Sequence, residues 1–101
     1  MRVVDSEQYA QFEWDEYKAE LNALKHGITF DDAAVALRQP HLEYDSVRSD
    51  EHRIVAICPH SGRIIGVVYT LREEKCRIIS ARPARIYEQR EYRVIFDRRD
   101  S

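Results

Sequence analysis

The stretch Phe12-Glu-Trp14-Asp15-Glu-Tyr17-Lys18-Ala-Glu-Leu21-Asn22-Ala-Leu24-Lys25-His26-Gly27-Ile28-Thr29-Phe30 decides how this chain begins to fold. Phe12-Glu-Trp14 alternates apolar and polar residues and reads as a short strand leading into a helix. Asp15 is an N-cap residue type, an acceptor for backbone N–H groups that the first helical turn leaves unpaired. Gly27 is the residue type that leaves a helix through the left-handed region. Between them the spacing predicts a helix over about 15–26, with Tyr17, Leu21, Leu24 and Ile28 facing a core. Asp15, Lys18, Asn22 and Lys25 form a second, polar stripe at steps of three and four, cationic towards the C-terminal end.

Outward from this helix the pattern continues. Thr29 caps a second helix, with Asp31 and Asp32 in its first turn, where acidic side chains suit the N-terminus. Phe30, Ala33, Ala34 and Leu37 are its apolar side, and Pro40 stops it. After Pro40 the hydrophobic period changes to two. His41–Val47 reads as a short, polar edge strand, and Arg53–Cys58 as a β-branched apolar one. Pro59-His-Ser-Gly62 is turn chemistry, Arg63–Thr70 the next strand, Arg72-Glu-Glu-Lys75 a charged turn, and Arg77–Arg82 the last strand. Consecutive strands joined by short turns imply an antiparallel meander. Pro83 fits the first turn of a final helix over about 83–96, with Ala84, Tyr87, Val94 and Ile95 turned inward. The fold class is therefore α+β: two N-terminal helices packed on a four-stranded antiparallel sheet, with a C-terminal helix. Residues 1–11 read as a flexible N-terminal arm and 12–101 as a single domain. The sheet face that the first two helices leave partly open is where a ligand would lie.

The chain of 101 residues has the length of one domain and a formal net charge of −2 at pH 7. That balance hides an asymmetry. Residues 1–40 hold 4 basic and 8 acidic side chains, whereas residues 77–101 hold 7 arginines and 4 acidic side chains. Arginine without lysine in the last segment suits bidentate contacts to phosphate; a solvated basic helix balancing an acidic partner is the plainer alternative. No apolar run approaches the roughly 20 residues of a membrane span, and Met1-Arg-Val-Val-Asp5 has no secretory apolar stretch. A cytoplasmic protein is expected. Cys58 and Cys76 lack C-x-x-C spacing and lie in strands, so both read as reduced, buried, small apolar residues. His52, Cys58 and His60 are the nearest approach to metal-ligand spacing, and no second pair supports them, so neither a metal nor a cofactor is expected.

Three motifs carry a family resemblance. Phe12, Trp14, Asp15, Lys18, Asn22, Lys25, His26, Gly27, Ile28, Phe30 and Ala33 fall on the pattern F-x-W-D-x-x-K-x-x-x-N-x-x-K-H-G-[IV]-x-F-x-x-A. Val67-Val-Tyr69-Thr70 followed by Arg77-Ile-Ile-Ser80-Ala81-Arg82 is the second, and Glu88 with Tyr92 the third. In these the chain resembles the BrnT family of bacterial toxins. The resemblance implies a RelE-like fold and a metal-independent endoribonuclease that inhibits translation. It also implies neutralisation by a BrnA-like antitoxin with a ribbon-helix-helix domain, so that operator DNA is reached only through the toxin–antitoxin complex. A homodimer and a 2:2 toxin–antitoxin complex are both compatible with it.

RNA cleavage of this kind needs a base for the 2′-hydroxyl, cations for the phosphoryl oxygens and an acid for the leaving 5′-oxygen. The resemblance implies that Arg, Lys, Tyr, Glu and His side chains share these tasks. The expected catalytic residues are Lys25, His26, Arg53, Arg77 and Arg82; Tyr69, Arg77 and Arg82 are expected to bind substrate. Each has a plainer reading. Lys25 and His26 suit a helix C-terminus whatever the function, Arg53 pairs with Glu51, Arg77 and Arg82 pair with nearby glutamates, and Tyr69 is a core aromatic. The competing function is a non-catalytic module that binds nucleic acid or antitoxin.

Overall fold

The computed structural model describes residues 1–5 and 11–99. The helix caps form as the sequence suggests. Asp15 Oδ1 accepts the Lys18 N–H at 3.0 Å and starts α1 (Glu16–His26), which Gly27 ends at φ 69°. The Thr29 hydroxyl accepts the Asp32 N–H at 3.0 Å and starts α2 (Phe30–Leu37). Four long strands follow: β3 (His41–Arg48), β4 (Glu51–His60), β5 (Arg63–Arg72) and β6 (Lys75–Pro83). Two residues of positive φ make each hairpin: Ser49 and Asp50, Ser61 and Gly62, Glu73 and Glu74. Such turns match the twist of the paired strands, and they let the strands run longer than their apolar pattern alone indicated.

The sheet is not the four-stranded antiparallel one expected, and the helices are not arranged as two N-terminal layers upon it. It has six strands in the order β1-β3-β4-β5-β6-β2 and is mixed. β1 (Arg2–Val4) adds antiparallel to β3, and β2 (Phe12–Glu13) adds parallel to β6. Three residues are too short to show a period, so pairing alone reveals β1, whereas β2 is the short strand that Phe12-Glu-Trp14 suggested. His41–Arg48 is accordingly an inner strand. Arg2 lies across it, 3.4 Å from Glu43 and 3.1 Å from Asp45. The arm expected over 1–11 thus includes a paired strand, while residues 6–10 lie outside the described residues.

Alternation sorts strand side chains onto two faces. Under α2, Ile54, Ala56, Ile65, Val67, Tyr69 and Ile78 pack against Ile28, Phe30, Ala33 and Leu37, with the free, buried Cys58 and Cys76 in the same cluster. On the opposite face Leu42, Ile57 and Ala84 form a smaller cluster, closed by Tyr92, Ile95 and Phe96 of α3 (Ile86–Arg99). The inward side of α3 therefore runs through Glu88, Tyr92, Ile95 and Phe96; Tyr87 and Val94, expected inward, are exposed. β-Favouring residues at 92–96 stay helical because their ring and aliphatic carbons cover this second cluster.

α1 also turns a different face inward. Tyr17, Leu21 and Leu24 are 69%, 49% and 84% exposed, whereas Asn22 is buried. The inward stripe is Ala19, Asn22, Ala23 and His26. Position explains the inversion. α1 lies against β6, where strand backbone groups need polar partners more than apolar cover. Asn22 supplies them, donating to Ala81 O at 2.8 Å and accepting the Ala81 N–H at 3.1 Å. No helix among the described residues is long and apolar enough to cross a membrane.

Candidate functional site

On the face shared with α3, Tyr44, Val55, Val68 and Ser80 are successive register partners across β3, β4, β5 and β6. They floor a cavity of about 310 Å³. Ser46, Arg48 and Arg53 bound it from β3 and β4, Arg82 and Arg85 from the end of β6 and the loop after it, and Lys25 and His26 from the last turn of α1. Asn22 explains that last contribution: its bonds to Ala81 fix α1 against β6, and residues three and four further on lie on the same helix face. A second groove lined by Lys18, Leu21, Asn22 and Ile79 adjoins the cavity and shares Lys25, His26 and Ser80 with it.

Among the described residues the lining holds one lysine, four arginines, one histidine and no carboxylate. Two of the arginines are engaged from outside the cavity. Arg53 Nε donates to Glu51 Oε1 at 2.9 Å. Arg82 Nη1 and Nη2 donate to the two Glu88 oxygens at 2.8 and 3.0 Å. Lys25, His26, Arg48 and Arg85 make no side-chain hydrogen bond or ion pair among the described residues. The charges of Lys25, Arg48 and Arg85 are therefore available to an incoming anion.

Glu88 organises one wall. It is 0% exposed. Besides the Arg82 fork it accepts the Arg85 N–H at 2.8 Å and the Tyr44 hydroxyl. Burial alone would raise its pKa; the hydrogen bonds from Arg82, Tyr44 and Arg85 prevail and hold it below the ordinary carboxylate value. Burial and the adjacent Glu88 carboxylate push the Tyr44 phenol well above its ordinary value. Because the Tyr44 proton points to Glu88, the Tyr87 hydroxyl, 3.0 Å away, donates to the Tyr44 oxygen. Gly66, the register partner of Arg82, leaves room for this arrangement: a Cβ there would stand 2.6 Å from Arg82 Nη1.

A basic, partly enclosed cavity on an open sheet face is a site for a polyanion. A family model described as "Ribonuclease toxin, BrnT, of type II toxin-antitoxin system" matches residues 14–88. The chain belongs to the BrnT family. The match covers every element that builds the cavity, from the first helix to Glu88. The BrnT family is a ribonuclease toxin family, so the chain is a ribonuclease toxin of a type II toxin–antitoxin system, a system that pairs it with an antitoxin. A search of curated proteins found no match.

Within this BrnT fold, Lys25, His26, Arg53 and Arg82 come together at one cavity. Arg77 and Tyr69 do not join them. Arg77 opposes Thr70 towards the other end of β6, roughly 16 Å along the strand from Arg82 at about 3.3 Å per residue. There it lies 3.7 Å from Glu13 on β2. Tyr69 is fully buried on the α2 face, its hydroxyl donating to Glu43 Oε2 at 2.6 Å. Glu43 also meets His41 Nε2 at 2.8 Å, so this is a polar cluster inside the core. Tyr44, Ser46, Arg48, Ser80 and Arg85 line the BrnT cavity although sequence reasoning did not single them out. Strand alternation carried a signal for Ser46 and Arg48, which share a face with Tyr44; only the tertiary fold brings Arg85 to the same place.

Proposed function

We propose that this chain is a metal-independent endoribonuclease that inhibits translation by cutting RNA in the cytoplasm. The observation that carries the reading is a cavity lined by five lysine and arginine side chains and a histidine, with no carboxylate among the described residues. This donor set suits an RNA phosphate and disfavours a divalent cation, which takes oxygen ligands such as carboxylates.

The chemistry follows from the groups present. Among the described residues His26 is the one imidazole in the lining, and a neutral imidazole nitrogen can accept a proton. It takes the proton from the 2′-hydroxyl, whose oxygen then forms a bond to the adjacent phosphorus. Arg82, Arg53 and Lys25 stabilise the charge gathering on the phosphoryl oxygens. The bond from phosphorus to the 5′-oxygen breaks, and that oxygen receives a proton from the cationic wall or from water. Arg48 and Arg85 hold flanking phosphates. Arg77 and Tyr69 have no part in this scheme.

The antitoxin is a BrnA-like ribbon-helix-helix protein that covers the basic cavity, and operator DNA is bound through the complex rather than by this chain. Identification of the RNA ends tests the scheme. Attack by the 2′-hydroxyl leaves a 2′,3′-cyclic phosphate and a 5′-hydroxyl. Fragments carrying 5′-phosphates would contradict it.

A further inference from the structure

We propose that Glu88 is a positioning residue, which grips the terminal edge of the Arg82 guanidinium and thereby reserves its Nε–Nη2 edge for the RNA phosphate. The inference rests on the ribonuclease reading of the cavity and assigns a task to a side chain outside its lining.

A guanidinium has five N–H donors in a plane. Glu88 takes one from Nη1 and one from Nη2, at 2.8 and 3.0 Å. The carbonyl of Pro83 takes a further one from Nη1, at 3.3 Å. With the Tyr44 hydroxyl alongside the group, Nε–H and the second Nη2–H make no further direct hydrogen bond among the described residues. These are parallel and share the side edge of the group, the two-pronged geometry that matches a phosphate. Without Glu88, the terminal edge would be the more accessible pair and the side chain would be free to rotate. Gly66 beneath the guanidinium leaves the space, and Glu88 removes the freedom.

The same contacts exclude Glu88 as the proton acceptor of the reaction. Its two oxygens already accept two Arg82 donors, the Arg85 N–H and the Tyr44 hydroxyl. It is completely buried, and a base must reach the proton it abstracts. Nor is it a latch that blocks Arg82, because it leaves one complete edge of the guanidinium unused.

The test compares wild type with Glu88→Gln and Glu88→Ala, using the full chain. Cleavage of a short RNA is followed across pH, and Nε–Hε of Arg82 is observed by nitrogen-labelled NMR with a 2′-deoxy oligonucleotide as a non-cleavable probe. The expected result is that the oligonucleotide shifts the wild-type Arg82 Nε–Hε signal. Both variants then lose roughly 100-fold in kcat, since small misplacement of a reacting group costs about that much, and the pH profile of Glu88→Gln keeps its shape. Loss of the acidic limb in Glu88→Gln would overturn the proposal in favour of a base. Faster cleavage by either variant would overturn it in favour of a latch, and an Arg82 Nε–Hε signal unmoved by the oligonucleotide would remove its basis. If Glu88→Ala does not fold, Glu88→Gln and the wild-type NMR measurement still decide. A wild-type chain that shifts the Nε–Hε signal yet cuts no RNA would refute the ribonuclease reading while leaving the positioning role standing.

Discussion

Asn22 acts on β6 as a neighbouring strand would, meeting both the C=O and the N–H of Ala81 with one side-chain amide, at 2.8 and 3.1 Å. Its Nδ2 also donates to the Ile28 carbonyl at 3.0 Å, tying the α1–α2 turn to the sheet. Asn22→Ala leaves the Ala81 groups without these partners at a buried position. An expected loss of roughly 2–6 kcal/mol follows from one to three for each of the two unsatisfied groups. Asn22→Asp keeps the acceptor but turns a carboxylate oxygen towards the Ala81 and Ile28 carbonyls at a buried position, so it costs at least as much as Asn22→Ala. Urea unfolding of the three proteins checks the order.

Gly66→Ala is expected to separate activity from stability. The added methyl meets the Arg82 guanidinium at 2.6 Å, not backbone, and the residue is not in the left-handed region. The guanidinium, the far end of a flexible side chain, must shift while keeping its hydrogen bonds to Glu88, which moves its free edge. Cleavage should fall roughly 10- to 100-fold, with a urea midpoint close to wild type. A midpoint that collapses together with activity would show that Gly66 matters to the sheet instead.

The β5–β6 hairpin carries avoidable strain. Glu73 and Glu74 sit at φ 53° and 68°, a region that costs side-chain-bearing residues about 1 kcal/mol or more. Replacing the pair by Asn-Gly, the sequence preferred in such turns, should stabilise the protein by roughly 1 kcal/mol. The turn is remote from the cavity lining, so cleavage should not change. Thermal unfolding and the RNA assay together check both halves.

Acid should loosen the protein through two buried carboxylates. Burial opposes ionisation of Glu88 and of Glu43, but hydrogen bonds from Arg82, Tyr44 and Arg85 to the first, and from His41 and Tyr69 to the second, lower both pKa values. A carboxylate depressed in the folded state contributes stability above its unfolded value of about 4.3, and that contribution disappears as pH falls through the folded value. The urea midpoint should therefore hold near neutral pH and fall below about pH 4. Glu88→Gln should start lower and fall less steeply over the same range.

Much of this architecture was legible where local chemistry dictates it. The Asp15 and Thr29 caps, Gly27, the four long strands and the burial of both cysteines follow from residue type and period. β1 did not, because three residues carry no period and exist as a strand only through β3; β2 was legible as a short strand at Phe12-Glu-Trp14, but its parallel pairing with β6 was not. The apolar stripe of α1 misled for a related reason: a helix beside a strand edge is oriented by hydrogen bonds, and Asn22 outweighed Leu21 and Leu24. At the cavity, Lys25, His26, Arg53 and Arg82 are candidates by residue type and element, and the fold brings these four together. Arg77 and Tyr69 were not separable from them, since the irregular register between β5 and β6 near Val68 and Tyr69, and the choice of sheet face, are tertiary facts.

The most direct test of the central claim is cleavage of a purified total RNA pool in EDTA by the wild-type chain beside Arg82→Ala, with folding of both confirmed by thermal unfolding. The cationic-cavity mechanism predicts cleavage by wild type without metal and its loss in the folded variant. A folded, antitoxin-free wild-type chain that cuts RNA only when a divalent cation is restored, or an Arg82→Ala protein that cuts as well as wild type, would contradict it.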